Sequence, residues 1–231
     1  MNKLTGTEKN FLAAMLTNLE ASPEFNFNNP HYWPGLQHII RKTAYHVAGH
    51  FAARCFTMLE LPRMVSISIM PEQGKIGSLN YERSFNIDLL ESFPPSFQCR
   101  YGRMLMLEYL AGTGAEIIIG LSEGFQYLSY YRGKNNLYFD RNAMTDHSNA
   151  VHTAFKTKLF MPPNKNFQVL KKWTLEMLRI PAVWNIVETM ADKLIEQRTI
   201  MHDDIYKIIA DLDCPCIFDL PKWRRRLSIN K

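Results

Sequence analysis

Residues 43–50 read Thr43-Ala44-Tyr45-His46-Val47-Ala48-Gly49-His50, and this stretch decides how the rest of the chain is interpreted. It lies within a segment from Leu36 to Leu59 that we predict to be a helix, because its alanine-rich middle favours helix formation and close packing. On a helix, side chains four residues apart share one face, so His46 and His50 can present imidazole nitrogens to one metal ion. Hydrogen-bonded interior histidines show the same spacing, so the pair alone leaves both interpretations open.

Val47 occupies the position at which a zinc motif of the His-Glu-x-x-His type carries its general base. In that motif the glutamate deprotonates metal-bound water and passes the proton to the leaving group. Valine can do neither, and it makes the space beside the ion apolar. The stretch therefore predicts a metal site without the usual catalytic base.

The composition is that of a soluble globular protein, with 46% hydrophobic and 21% charged residues among 231. The net charge of +5 is scattered and gives little reason to expect a nucleic acid or an anionic membrane as partner. The longest apolar stretch, Met104 to Leu121, is interrupted by Glu108 and Glu116, which argues against a membrane span. No targeting segment is recognisable, so we expect a cytoplasmic protein.

The four cysteines are too few for a disulfide scaffold. Cys214-Pro-Cys216 has no second pair at the spacing of a zinc ribbon, so we interpret these residues as free thiols. We expect a reducing environment.

The pattern along the chain predicts a predominantly α fold with a small β-hairpin or sheet. Val65–Ile69 and Ile76–Tyr81 are the predicted strands, joined by turn residues from Pro71 to Gly77. Glu91–Pro95 is expected to be a loop, and residues 121–142 an insertion. After the helix that contains the two histidines, further helices are predicted at Tyr101–Ile119, from Thr145, at Asn166–Leu178, Pro181–Gln197 and Asp203–Leu212.

Three regions follow from this pattern. Residues 1–35 form an irregular N-terminal segment, rich in asparagine, proline and aromatic residues toward its end. Residues 36–212 form the helical domain. Residues 213–231 form a basic C-terminal tail that carries Lys222-Trp-Arg-Arg-Arg226.

The stretch around the two histidines resembles the zinc helix of the FtsH family of AAA proteases, whose usual form is A-Y-H-E-A-G-H-A. The chain departs from that form at Val47. Three further segments are similar to family segments in the same order, and the likeness covers residues 36–212. They are Val65-Ser-Ile-Ser-Ile69-Met-Pro71 through Gly77, Tyr109-Leu-Ala-Gly112-Thr-Gly-Ala115-Glu116 through Gly120, and Thr145-Asp146-x-x-x-Ala150. Thr113 stands where the family usually has arginine.

The resemblance implies an FtsH-type zinc metallopeptidase domain in which His46, His50 and Asp146 bind one zinc ion per chain. From the residues alone, Asp146 is equally well an acidic residue at a helix start, and His147 and Glu116 remain alternative third ligands. Glu116 is also a candidate catalytic residue, although a role as buried partner of an arginine or a backbone group is favoured. The remaining histidines are interpreted as surface or packing residues: His31, His38, His152 and His202.

Three functions agree with this pattern, and the sequence leaves open whether the chain is an enzyme. The favoured one is a zinc-binding pseudo-peptidase, or a severely impaired metalloendopeptidase, that binds polypeptide. The second is a non-catalytic interaction protein without metal. The third is an active zinc hydrolase that uses another base, such as Glu116 or His147.

Other partners are not expected. No G-x-x-x-x-G-K-[ST] string occurs in these residues, so the ATPase module of the FtsH proteases is not found and ATP is not an expected ligand. The run from Lys222 to Arg226 is interpreted as a solvated tail that contacts a partner, because no nucleic-acid motif accompanies it. A homo-oligomer is compatible with the sequence.

Overall fold

A computed structural model describes residues 34–57, 64–72, 75–81, 92–121, 146, 149–150, 153, 163–212, 215–217 and 219–227. These residues are mostly helical and include a three-stranded antiparallel sheet, which confirms the predicted fold class. The elements in chain order are α1 (Pro34–Thr57), β1 (Met64–Glu72), β2 (Lys75–Tyr81), α2 (Pro95–Ile118), α3 (Pro163–Leu178), α4 (Pro181–Gln197), β3 (Thr199–Met201), α5 (His202–Asp211) and α6 (Pro221–Leu227).

Helix α1 lies at the centre of the fold and packs against α2, α4, β1 and β2. Every residue from 43 to 53 is buried, so no side of this stretch faces solvent. Small residues set the distance between α1 and α2, since a Cβ atom on Gly49 would lie 2.5 Å from the carbonyl oxygen of Ala111. The alanine-rich sequence therefore brings the two helical backbones close together.

The sheet has the strand order β2-β1-β3, so that β1 is central. Ser68 of β1 pairs with Ser78 of β2 on one side and with Thr199 of β3 on the other. The predicted hairpin is confirmed, and β1 and β2 both pack against α1. Strand β3 was not predicted, because its three residues are too few for an alternating pattern.

Helix α2 begins earlier than predicted. The prediction of a loop over Glu91–Pro95 was wrong at Pro95, which lies in the first turn of α2. Its missing N–H costs nothing there, because the N–H groups of a first turn have no partner within the helix. The side-chain amide of Gln98 donates to the carbonyl oxygen of Phe93 at 2.7 Å and ties the preceding chain to this turn. Residues 92–97 are exposed, so their sequence carries no burial pattern that would reveal a helix.

Helix α6 covers one end of the core. Trp223 is buried and meets the ring of Phe56 edge-on, with ring centroids 5.4 Å apart. The guanidinium of Arg226 lies over the rings of Trp173 and Trp223 and bonds to Glu176 at 2.7 Å. The basic run is therefore only partly solvated.

Some predictions concern residues outside the described ranges. These are most of the N-terminal segment 1–35, nearly all of the insertion 121–142, the helix start at Thr145, and His31, His147, His152 and Cys214. Among the described helices, none has the length and apolar composition needed to cross a membrane.

Candidate metal centre

The two histidines of α1 lie on successive turns of the same face, as their spacing predicts. Both side chains are buried. Their Nε2 atoms are 3.0 Å apart, and the rings meet edge to face with centroids 4.7 Å apart. His46 and His50 therefore direct the same ring nitrogen at a common point.

Asp146, whose backbone is helical, supplies a carboxylate to this point. Its Oδ2 atom lies 3.1 Å from Nε2 of His46 and 3.0 Å from Nε2 of His50. The structure thus brings Asp146 into contact with His46, which lies 100 positions earlier in the chain, and with His50, which lies 96 positions earlier. His46, His50 and Asp146 form a group that could hold a metal ion.

The outer nitrogens of both rings are already engaged. Nδ1 of His46 lies 2.7 Å from a carboxylate oxygen of Glu116, and Nδ1 of His50 lies 2.8 Å from the carbonyl oxygen of Glu108. A carbonyl oxygen can only accept, so Nδ1 of His50 is the donor. Burial alone would raise the pKa of Glu116, but the bond with His46 and the nearby charges of His46 and Lys42 lower it. This carboxylate is therefore ionised, and Nδ1 of His46 donates to it.

A metal ion binds imidazole nitrogens that carry no proton, and with both Nδ1 atoms donating, the nitrogens left to bind an ion are the two Nε2 atoms. These two atoms and the Oδ2 atom of Asp146 face one another at 3.0–3.1 Å. Burial lowers the pKa of His46, but its bonds to Asp146 and Glu116 outweigh burial and raise it to about 10. One proton can satisfy part of this arrangement, whereas a metal ion can satisfy all three atoms at once.

Gly112 of α2 leaves space at the point where the three atoms meet. A Cβ atom on Gly112 would lie 2.5 Å from Nε2 of His50 and 2.7 Å from Nε2 of His46. Any side chain here would therefore occupy the place of an ion. The absence of a Cβ atom at this position is what keeps the centre open on the side of α2.

The facing sides of α1 and α2 show a regular arrangement that extends beyond the ligands. On α1, Lys42, His46, His50 and Arg54 follow one another at intervals of four residues. On α2, Glu108, Gly112 and Glu116 do the same. Nζ of Lys42 lies 3.3 Å from Glu116, and Nε of Arg54 donates to Glu108 at 2.6 Å. Each end of the centre thus has a buried carboxylate paired with a cation.

Val47 is buried beneath strand β2. Gly77 of β2 has φ +88°, and a Cβ atom on it would lie 2.6 Å from Cγ2 of Val47 and 3.0 Å from Cγ2 of Thr43. The strand therefore approaches the helix closely only because residue 77 is glycine. The position next to His46 holds a methyl group under the strand and carries no group that can accept a proton.

The other described histidines lie apart from this group. His38 is exposed on α1, and Nδ1 of His202 bonds to the carbonyl oxygen of Met64 at 2.7 Å. Their placement agrees with the interpretation as surface and packing residues.

Lys42, Glu108 and Gly112 were not recognised as parts of the site from the sequence. The available signal was the repeated spacing of four on both helices, which places Lys42 on the face of the histidines and both glutamates on the face of Gly112. That signal is weak without knowledge that the two faces meet. Neither protein-family models nor curated proteins provide a match for this chain.

Proposed function

We propose that this chain is a zinc-binding domain of the FtsH peptidase type that binds polypeptide and lacks the general base for efficient hydrolysis. The observation that carries the proposal is the convergence of His46, His50 and Asp146 beside Gly112, with Val47 next to the first ligand. Two imidazoles and one carboxylate are a ligand set that zinc takes in sites with an open fourth position.

The distances support zinc as the ion. Zinc–ligand bonds of about 2.0–2.1 Å place the donors of a tetrahedral site about 3.3 Å apart. The three donors here are separated by 3.0, 3.0 and 3.1 Å, so a displacement of a few tenths of an ångström would admit the ion. The outer bonds to Glu116 and to the carbonyl of Glu108 are of the kind that orient zinc-bound histidines.

Glu116 is better suited to orienting His46 than to replacing the missing base. Its Oε1 atom bonds to Nδ1, the ring nitrogen that faces away from the meeting point of the ligands, and its Oε2 atom pairs with Lys42. A general base must instead lie within hydrogen-bond reach of the attacking water. Among the described residues, this geometry favours a site that has lost its base over one that uses a substitute.

Polypeptide is the proposed ligand because β2 lies beside the centre. In the described sheet, β2 has a partner on one side only, and its Gly77 lies against Val47. A strand edge without a partner offers backbone groups that can pair with an extended peptide. A chain bound there would run past the metal without meeting a catalytic carboxylate.

The test is to restore the base. The wild type is expected to bind close to one zinc ion per chain and to cleave casein at a negligible rate. Because position 47 directly follows the proposed ligand His46, V47E is expected to place a carboxylate next to the metal site. Cleavage should then rise by about 10²-fold or more, the low end of what a positioned base supplies. Zinc content is measured by atomic emission and cleavage by release of labelled peptide.

The control is V47Q, which has the size of glutamate but cannot take up a proton, and it should remain inert. Adding H46A to V47E should remove both the zinc and the activity. Zinc-free wild type, purified under zinc-replete conditions, would instead favour an interaction protein without metal. Chelator-sensitive cleavage by the wild type would show that another base is in use.

A further inference from the structure

Lys42 lies at the outer end of a chain of contacts that leads to the candidate metal ligands. Its Nζ atom is 3.3 Å from Oε2 of Glu116, and Oε1 of the same carboxylate is 2.7 Å from Nδ1 of His46. Both oxygens of Glu116 are therefore engaged, one by the cation and one by the ligand. We infer that Lys42 is a positioning residue for the metal centre, acting on His46 through Glu116; this inference rests on the proposed zinc binding.

The physical reason is that a carboxylate held at one oxygen can rotate. Glu116 is buried, with a side-chain exposure of 7%, and bonds only through its two oxygens to α1. Lys42 fixes the second oxygen, so the carboxylate plane is set and its first oxygen points at Nδ1. Because an imidazole is rigid, fixing Nδ1 also fixes the direction of Nε2, which lies on the opposite side of the ring toward His50 and Asp146.

The opposite end of the site shows why the two cations are not equivalent. Arg54 bonds to the carboxylate of Glu108, but Glu108 reaches His50 through its backbone carbonyl oxygen. That carbonyl is positioned by α2 itself. His50 is thus oriented by helix backbone, whereas His46 depends on a side chain that needs Lys42 to hold it.

Arg41 provides a matched control. It precedes Lys42 on the same helix, carries the same charge, and is exposed, with its guanidinium 5.8 Å from the ring centre of Tyr45. Removing either residue changes the net charge near the site by the same amount. Only the removal of Lys42 releases the carboxylate that contacts a ligand.

The experiment compares the zinc affinity of the full chain and its variants by competition with a chelating dye. K42M should lose about tenfold in affinity, the low end of the effect of outer partners of zinc ligands. R41M should change by less than about twofold, because an exposed charge is screened. K42R should recover most of the loss. In an E116Q background, K42M should have no further effect, since both changes interrupt one contact chain.

The absorption spectrum of the Co²⁺-loaded protein separates positioning from a purely structural role. K42M should alter the ligand-field bands, because the direction of His46 changes, while R41M should not. An ion pair that only joined the helices would lower the unfolding midpoint and leave zinc affinity and spectrum unchanged. Equal affinities for K42M and R41M, with zinc bound to the wild type, would overturn the role of Lys42 alone. A wild type that binds neither Zn²⁺ nor Co²⁺ would overturn the proposed function together with this role.

Discussion

At the scale of single residues, the candidate metal centre depends on a glycine, which has no side chain, as much as on the three groups that could bind an ion. His46, His50 and Asp146 converge over Gly112, whose α-carbon faces the gap between the two Nε2 atoms. The ligands supply lone pairs and charge, and the glycine supplies the volume in which an ion can lie. The site therefore needs the two histidines on α1 and the glycine on α2.

G112A is therefore expected to abolish metal binding without unfolding the protein. The new methyl group would lie 2.5 Å from Nε2 of His50, in the space that an ion needs. Alanine also favours a helix interior over glycine by about 0.5–1 kcal/mol, which offsets part of the crowding. Zinc stoichiometry after dialysis and the far-ultraviolet circular dichroism spectrum measure the two effects.

G114A is the matched control on the same helix. Its Cβ atom would meet Cδ1 of Leu178 at 2.8 Å and Cγ2 of Thr174 at 3.2 Å, both on α3, whereas neither histidine is among the nearest atoms. Metal binding should therefore persist in G114A. Wild-type zinc affinity in G112A would mean that the ion does not lie where the three donors meet.

At the scale of elements, the contact between β2 and α1 depends on a matched pair of residues. Gly77 has a positive φ and no side chain, and Val47 fills the space that this leaves under the strand. The pair determines how closely the hairpin lies against the helix that carries the histidines. It also places the side chain of Val47, the residue next to His46, against strand β2.

G77A is expected to destabilise the protein for two separable reasons. A non-glycine residue at this φ costs about 1–3 kcal/mol, and the new Cβ atom meets Cγ2 of Val47 at 2.6 Å. Adding V47A should relieve the crowding but leave the backbone strain. The double variant should therefore lose less free energy of unfolding than the two single variants lose together. The difference should be about 0.5–3 kcal/mol, measured by urea unfolding. Strict additivity would show that Val47 and Gly77 do not touch in solution.

How far the sequence predicts these elements depends on local signals. Helix α4 was predicted with its observed limits, because Pro181 marks its first turn and its apolar residues recur with helical period. Strand β3 was missed because its pairing with β1 involves residues more than 130 positions away. The histidine pair follows from spacing on one helix. Asp146 followed only from the resemblance, since no local pattern reveals that a distant carboxylate reaches the same point.

At the scale of the whole molecule, a bound ion would join Asp146 to helix α1, whose first histidine lies 100 positions earlier in the chain. Asp146 reaches α1 through the centre itself, at 3.0 and 3.1 Å from the two histidines. This junction contains a partly buried carboxylate whose pKa is lowered, against the effect of burial, by the neighbouring histidines. If the proposed ion binds here, stability and ion occupancy are linked.

Removing zinc should accordingly lower the thermal unfolding midpoint. A ligand that binds only the native state, at a free concentration of about 100 times its Kd, stabilises that state by about 2.7 kcal/mol. Differential scanning calorimetry with and without a strong chelator measures the loss, and re-addition of zinc should reverse it. H50A should unfold at the same temperature under both conditions. A chelator effect of equal size in H50A would place the stabilising ion elsewhere.

The wide separation of the ligands along the chain also orders events in time. The two histidines are neighbours as soon as α1 forms, but Glu116 lies 70 positions beyond His46, and Asp146 lies 100. Contacts between such distant positions form slowly, because the intervening chain must first be arranged. During synthesis, a half-made chain would present only two imidazoles, which would hold an ion weakly. Loading of the proposed site with metal would therefore be a late step, and it would report that the polypeptide has been completed past residue 146 and correctly folded.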